Sequence, residues 1–339
     1  MTRAKGGHSR SKKASKKRID RWLSSPAYEK CREKWTARTG EFSVENKIAK
    51  YPDEFLAIQS SSKVVAKQLR IHFPGLQTRQ LESADSTRKL LFPVPTPENR
   101  LLDPLHPPYL AMRFPSVVSP KTNSRLVLAW DKLLASGVKF PKVDPNRSTT
   151  PALHLGIWEI FSSKPFISAN SRQTPEVNKS IDIFLGLVGK LLAPKIGALL
   201  KEHCPDQYAR QIQAYSRVKR ILGPELVERP TMDFTGSFFS VAVKEGSSEK
   251  VHIDFNDDIN GITWVVPLGD WEGGEFCAPQ LGYKIPIIPG QILGVMTKLL
   301  AHCGAPVTNG RRIVLTLFSD RFLLGHSDKD TRKRGVNIV

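Results

Sequence analysis

From residue 152 onward the apolar positions follow two rhythms in succession. "ALHLGIWEIF" (152–161) alternates with period two, as a half-buried strand does. Residues 176–203 then carry apolar side chains three and four apart, which predicts one long helix with a kink at Pro194. "PDQYARQIQAYSRVKRIL" predicts a second helix opening at Pro205, since a proline in the first helical turn gives up no hydrogen bond. After it come seven short apolar runs: "FFSVAV" (238–243), "VHID" (251–254), "GITWVVPL" (261–268), "GEFCAP" (274–279), "YKIPI" (283–287), "QILGVM" (291–296) and "RRIVLTLF" (311–318). "KEGSSEK", "GDWEGG" and "IPGQ" supply turns between them. Short β-branched runs at near-regular spacing predict a sandwich or barrel, so the expected class is α+β, a jelly-roll core with supporting helices.

The N-terminal part has a different texture. Residues 21–80 mix charges at helical spacing and predict a few helices. Residues 92–151, densest in "FPVPTPENRLLDPLHPP", are rich in proline, so extended connections and short helices are expected there. The predicted organisation is a basic arm over 1–20, a helical and proline-rich N-terminal region over 21–151, the jelly-roll domain over 152–325 and a C-terminal tail over 326–339.

Charge adds a partner class. The 339 residues carry a formal net charge of +19, and residues 1–70 hold 18 Lys and Arg against seven Asp and Glu. In "TRAKGGHSRSKKASKKR" no acid appears before Asp20, so the segment repels itself and reads as a disordered arm for a polyanion or a nuclear-localisation signal. Nucleic acid is the expected partner and the nucleus the expected location. The first 20 residues show no apolar core of a secretory signal, and they lack the amphipathic face of a transit peptide. "IDIFLGLVGKLLAPKIGALL" (181–200) is interrupted at mid-span by Lys190, Pro194 and Lys195, which predicts a buried core helix and no membrane association. Cys31, Cys204, Cys277 and Cys303 form no CxxC pair, against a structural zinc site or a disulfide framework; Cys303 is expected as a small packed thiol. Nothing repeats or forms heptads, and a monomer is assumed.

The chemistry lies in the β region. In "VHIDFNDDINGITWVV" (251–266), His252 and Asp254 are two apart and would share one face of a strand. An HxD alone is weak, but His302 follows in "KLLAHCGAPVTNGRR". Two imidazoles and one carboxylate on one side of an ion make the facial triad of non-haem Fe(II) oxygenases, with open positions for a bidentate keto acid and dioxygen. A distal carboxylate needs an anchor, and the planar fork of arginine suits it. Alternation sets Arg312, Val314 and Thr316 on one face and Arg311, Ile313, Leu315 and Leu317 on the other. Arg312 is preferred as the anchor, with Arg311 the second candidate at the strand mouth.

This series, HxD, "PLGDWEGGEFCAPQLGYKIPIIPGQIL", His302 and a Gly-Arg-Arg strand, resembles the Fe(II)- and 2-oxoglutarate-dependent oxygenases, and among them the TET/JBP-like branch of basidiomycete, mushroom-type fungi. The resemblance covers about 152–325, with its specific motifs between 234 and 318. It implies a double-stranded β-helix, iron held by His252, Asp254 and His302, and 2-oxoglutarate held by Arg312. Two positions depart from the pattern: Pro289-Gly290-Gln291 where an acidic third residue is usual, and Val314 where many relatives carry a small hydroxyl.

The resemblance further implies a dioxygenase consuming 2-oxoglutarate and O2, releasing succinate and CO2, and oxidising the methyl group of 5-methylcytosine or thymine, with 5-methylcytosine in DNA favoured and RNA possible. Two other classes stand beside it: an oxygenase of protein side chains or small molecules, and an inactive nucleic-acid-binding relative. Asp257, Asp258 and Asn260 read as turn residues, one of which could orient an imidazole. Asp270, Gly273 and Gly274 read as hairpin chemistry. His154, His203 and His326 read as solvated or packed, and Trp158, Trp264 and Trp271 as core.

Overall fold

A computed structural model of the chain describes residues 41–43, 66–67, 69–71, 73, 80–93, 107–159 and 164–327. The basic arm (1–20), most of the helices expected over 21–80, Cys31 and the tail beyond Ser327 lie outside the described residues.

Thirteen strands among the described residues form two sheets. They are β1 (Glu41–Ser43), β2 (Glu82–Ser83), β3 (Lys89–Pro93), β4 (Tyr109–Phe114), β5 (Leu153–Trp158), β6 (Phe166–Ile167), β7 (Ser240–Glu245), β8 (Thr263–Gly273), β9 (Phe276–Ala278), β10 (Tyr283–Ile285), β11 (Ile292–Val295), β12 (Cys303–Gly304) and β13 (Val307–Phe318). The larger sheet runs β1-β3-β4-β11-β8-β13-β7-β5-β6 and the smaller β12-β9-β10-β2. From β7 onward the chain winds between them: β7 and β8 in the large sheet, β9 and β10 in the small, β11 in the large, β12 in the small, β13 in the large. That winding is a double-stranded β-helix, the jelly-roll core expected.

Helices cover one face of the large sheet: α1 (Pro120–Ala135), α2 (Pro175–Leu191), α3 (Ala193–His203), α4 (Pro205–Ile221) and α5 (Gly223–Glu228), with α6 (Arg321–Leu324) following β13. Local sequence sets their ends. Ser119 caps α1 by accepting from the Thr122 N–H at 3.2 Å, and Thr174 caps α2 by accepting from Val177. The single helix expected over 176–203 is divided at Leu192, because Pro194 has no N–H to continue the ladder and sits in the first turn of α3. By length and hydropathy Pro175–His203 could cross a membrane. Its apolar face, Val177, Ile181, Phe184, Leu185 and Val188 on α2, is instead buried in the core shared with the sheet.

Strand alternation divides the interior in two. Leu155, Val241, Val243, Trp264, Val266, Leu268, Ile313, Leu315 and Leu317 face the helices. Leu90, Phe92, Val265, Leu293, Val295 and Val314 face the small sheet, meeting Phe276 and Ile285. Each such aliphatic side chain contributes about 1.5–3 kcal/mol on burial. Asn123 on α1 fixes the helical layer to the centre of the sheet, accepting from the Gly269 N–H at 2.9 Å and donating to its carbonyl at 3.1 Å.

Three expectations need correction. The proline-rich region was expected to hold connections and short helices, yet β4 lies within it, paired antiparallel with β3, which ends at its start, and with β11. The large sheet thus draws on chain before residue 152. Next, "VHID" forms no strand: only His252 pairs, through an isolated antiparallel bridge with His302. The strand expected over 311–318 begins earlier, at Val307, as the partner of β8 through a register shift between Val307 and Asn309.

Candidate metal centre

A cavity of about 410 Å³ opens between the two sheets, on the side of the large sheet away from the helices. The cavity-facing residues of β13, Arg312, Val314, Thr316 and Phe318, form one wall beside Ala242 and Lys244 of β7 and His154 and Trp158 of β5. His252, Asp254, Phe276 and His302 approach from the small sheet.

His252, Asp254 and His302 each offer a ligand atom within 4.8 Å of the others. Their placement is fixed by backbone. The His252 N–H donates to the His302 carbonyl at 2.9 Å and the His302 N–H to the His252 carbonyl at 2.8 Å, while the Asp254 N–H donates to the Thr297 carbonyl at 3.0 Å. The side chains are oriented in turn. Nδ1 of His252 lies 2.8 Å from the Lys250 carbonyl, and Nδ1 of His302 lies 2.8 Å from the Leu300 carbonyl. A carbonyl only accepts, so each Nδ1 carries the proton and each Nε2 presents a lone pair to the shared space. Phe276, on β9 of the small sheet, stacks on the His302 ring at 5.1 Å.

Charge states suit a cation. Burial pushes both imidazoles below their usual range, most strongly at His252, where Arg147 and His302 add to the effect. Burial alone would raise Asp254, but its ion pair with Arg147 and the two imidazoles hold it at about 2. Neutral nitrogens with an ionised carboxylate, all on one side, are the donor set of a divalent iron site with positions left open.

Asp257, read as a turn residue, is buried and accepts from Thr263 Oγ1 and Thr297 Oγ1, each at 2.7 Å. Burial and the charge of Asp254 push it to about 7, and its two threonine hydrogen bonds tie the ligand segment to β8 and to the turn before His302. Asp258 instead forms a bidentate pair with Arg210 at 2.6 and 3.0 Å and accepts from the Asn260 N–H, closing the turn.

The two arginines differ sharply. Arg312 is 6% exposed and lines the cavity, with Trp271 5.8 Å from its guanidinium carbon. Its Nη1 donates to the Gly246 carbonyl at 3.2 Å, while Nε is buried without a hydrogen-bond partner. Arg311, the second candidate, lies away from the cavity on the helix side. It pairs with Asp131 of α1 at 2.7 Å and Glu245 of β7 at 2.5 Å, so its guanidinium is already engaged.

Sequence reasoning missed Arg147, Lys244, Ser247 and Phe276. Arg147 comes from the loop before β5 and Phe276 from a three-residue strand, so no local period marks either. Lys244 had a signal: a charged residue at an inward position of "FFSVAVKE". Of the residues read as bland, His154 lines the cavity, His203 stacks on Phe114 at 4.8 Å, and His326 is buried against Glu159 at 2.5 Å. Cys303 is a buried free thiol in register with Cys277. Trp264 is core, Trp158 lines the cavity, and Trp271 flanks Arg312.

Residues 170–321 match the Tet_JBP family, described as the oxygenase domain of the 2OGFeDO superfamily. Proteins of that superfamily use Fe(II), 2-oxoglutarate and O2, and the triad fits an iron site. Solved structures similar to the chain include NgTET1 in complex with 5mC DNA, at 14% identity and a TM-score of 0.46, covering 81% of this chain and 100% of that one. A 2OG-Fe(II) oxygenase-family oxidoreductase from Burkholderia pseudomallei is 13% identical over 83% of this chain and 94% of its own, with a TM-score of 0.34. A Pseudomonas putida prolyl-4-hydroxylase is 11% identical over 62% and 93%, with a TM-score of 0.33. No curated protein matches the chain.

Proposed function

We propose that this protein is an Fe(II)- and 2-oxoglutarate-dependent dioxygenase that oxidises a methylated nucleic-acid base, 5-methylcytosine in DNA ahead of RNA. The observation that carries the enzymatic reading is the convergence of two neutral Nε2 atoms and one carboxylate on a cavity wall that also holds a buried arginine with an unpartnered Nε. The Tet_JBP match supports the same chemistry.

In this reading His252, Asp254 and His302 hold the metal, and Arg312 holds the distal carboxylate of the cosubstrate. When bound, the iron with 2-oxoglutarate and dioxygen supplies the oxidising power, and succinate and CO2 leave. The chain's own contribution is placement and shelter. The Nδ1 hydrogen bonds keep both imidazoles in the ligating tautomer, Val265, Val314 and Phe276 keep water from the metal side, and the triad binds without first losing a proton.

Substrate class rests on shape and charge. Trp158 and Phe318, edge to face with ring centroids 6.2 Å apart, add aromatic surface to the cavity against which an extruded base could pack. The net charge of +19 suits sequence-independent phosphate contacts, with the basic N-terminal segment as their main source and a nuclear destination in keeping with it.

The deciding assay is succinate release from the full chain with Fe(II), 2-oxoglutarate and O2, with methylated or unmethylated duplex and His252→Ala as control. Stimulation by the methylated duplex alone, lost in the variant, is expected. Equal release with both duplexes rejects 5-methylcytosine as the substrate. Absence of release under every condition rejects the enzyme.

A further inference from the structure

The cosubstrate seat is unusually cationic and unevenly furnished. Arg312 has the Gly246 carbonyl as its hydrogen-bond acceptor, and its Nε has none. Two residues along the same face stands Val314, which offers no polar atom. A carboxylate seated on the guanidinium fork therefore keeps lone pairs that β13 cannot satisfy at that position.

The missing donor lies on the neighbouring segment. Gly246 is doubly tied to Arg312, its N–H donating to the Arg312 carbonyl at 2.8 Å, so the turn after β7 is held against the arginine. The next residue, Ser247, is 4% exposed and lines the cavity, and its Oγ is buried with no hydrogen-bond partner. An unpartnered buried hydroxyl is costly, and a ligand oxygen accepting from it would recover that cost. Ser247 also packs over Gly304, where an added Cβ would meet Ser247 Cβ at 3.0 Å, so its backbone has little room to turn away.

Lys244 strengthens the field. Its ammonium is held in place by the Ser247 carbonyl at 2.6 Å and Ser248 Oγ at 3.2 Å, and also donates to Ser148 Oγ. The buried Arg312 and the half-buried Lys244 both line the cavity, and they repel each other until an anion joins them. Glu275, the carboxylate that acts on Arg312, bears on it through space, with no hydrogen bond between the two side chains.

We propose that Ser247 and Lys244 complete the seat for the distal carboxylate with Arg312, the hydroxyl donating where Val314 cannot and the ammonium supplying the second positive charge. The inference rests on the 2-oxoglutarate reading above and adds to it two residues from a different strand and turn. Ser247 contacts the ligand, and Lys244 acts by its field and by positioning the Ser247 turn.

The test measures 2-oxoglutarate binding to the full chain loaded with redox-silent Mn(II), by titration calorimetry, with pyruvate as a keto acid that lacks the distal carboxylate. Ser247→Ala is expected to weaken 2-oxoglutarate about tenfold and leave pyruvate unchanged, and adding Val314→Ser is expected to restore most of the loss. Lys244→Gln is expected to weaken 2-oxoglutarate more than pyruvate. Thermal melting of each variant verifies the fold, and Val314→Ser alone reports on the seat should Ser247→Ala melt early. Wild-type affinity for 2-oxoglutarate in Ser247→Ala overturns the inference and leaves the enzymatic reading standing. Failure of the wild-type protein to bind 2-oxoglutarate overturns that reading itself.

Discussion

Single residues decide whether Arg312 is aimed correctly, and Gly274 is the most exposed to test. Its φ is +68°, and a Cβ there would lie 2.9 Å from Arg312 Cδ and 3.1 Å from Nε. Gly274→Ala therefore combines left-handed strain with a collision at the guanidinium. Mn(II) binding should persist while 2-oxoglutarate affinity drops at least tenfold, both read by calorimetry; an unchanged cosubstrate affinity would show that Arg312 is not the anchor. Lys244 adds a pH dependence, because burial lowers its ammonium to about 8. An anion prefers the charged form, so cosubstrate affinity should be full below that value and fall as pH rises through it, by up to about tenfold per unit. Lys244→Gln should flatten the profile between about pH 7 and 10. At this scale the sequence was informative where chemistry is local. The HxD pair and His302 marked three residues that the fold brings within reach of one another, and the alternation along 311–318 separated Arg312 from Arg311. Lys244, Ser247 and Arg147 were not legible as a group, because a hydroxyl or a cation gains meaning only from what the fold sets opposite it.

Elements are held by their ends as much as by their apolar faces. Ser119 satisfies an otherwise free N–H at the start of α1, the helix that grips Gly269 through Asn123. Ser119→Ala should lower stability by about 1 kcal/mol, seen as a reduced denaturation midpoint with an unchanged slope. No change would mean that water replaces the cap fully. The helices and the late strands were readable because each keeps one period over its length and is bounded by proline, glycine or an Asx turn. β3 and β4 were not, since "KLLFP" and "YLAMRF" lie on either side of proline-dense sequence and are buried on both faces, which erases the alternation.

The whole molecule carries far more positive charge than its cavity uses. Residues 1–20 hold eight Lys and Arg against one acid, and they lie outside the segment that builds the triad. If the partner is a duplex, log affinity should fall linearly with log salt, and removing residues 1–20 should make that slope shallower, by about 0.9 for each phosphate the truncated chain no longer neutralises. Calorimetric 2-oxoglutarate binding should be untouched by the truncation. An unchanged salt slope would assign phosphate binding to the folded core.

The bridge between His252 and His302 has a kinetic consequence. Each of the two amides donates to the other's carbonyl, so neither can exchange its proton for deuterium without releasing its neighbour. A metal held by both imidazoles would make that opening rarer, since the pair would have to part and the ion be lost in the same event. Hydrogen–deuterium exchange should therefore show peptides around residues 252 and 302 slowing together on Mn(II) addition and speeding together on chelation.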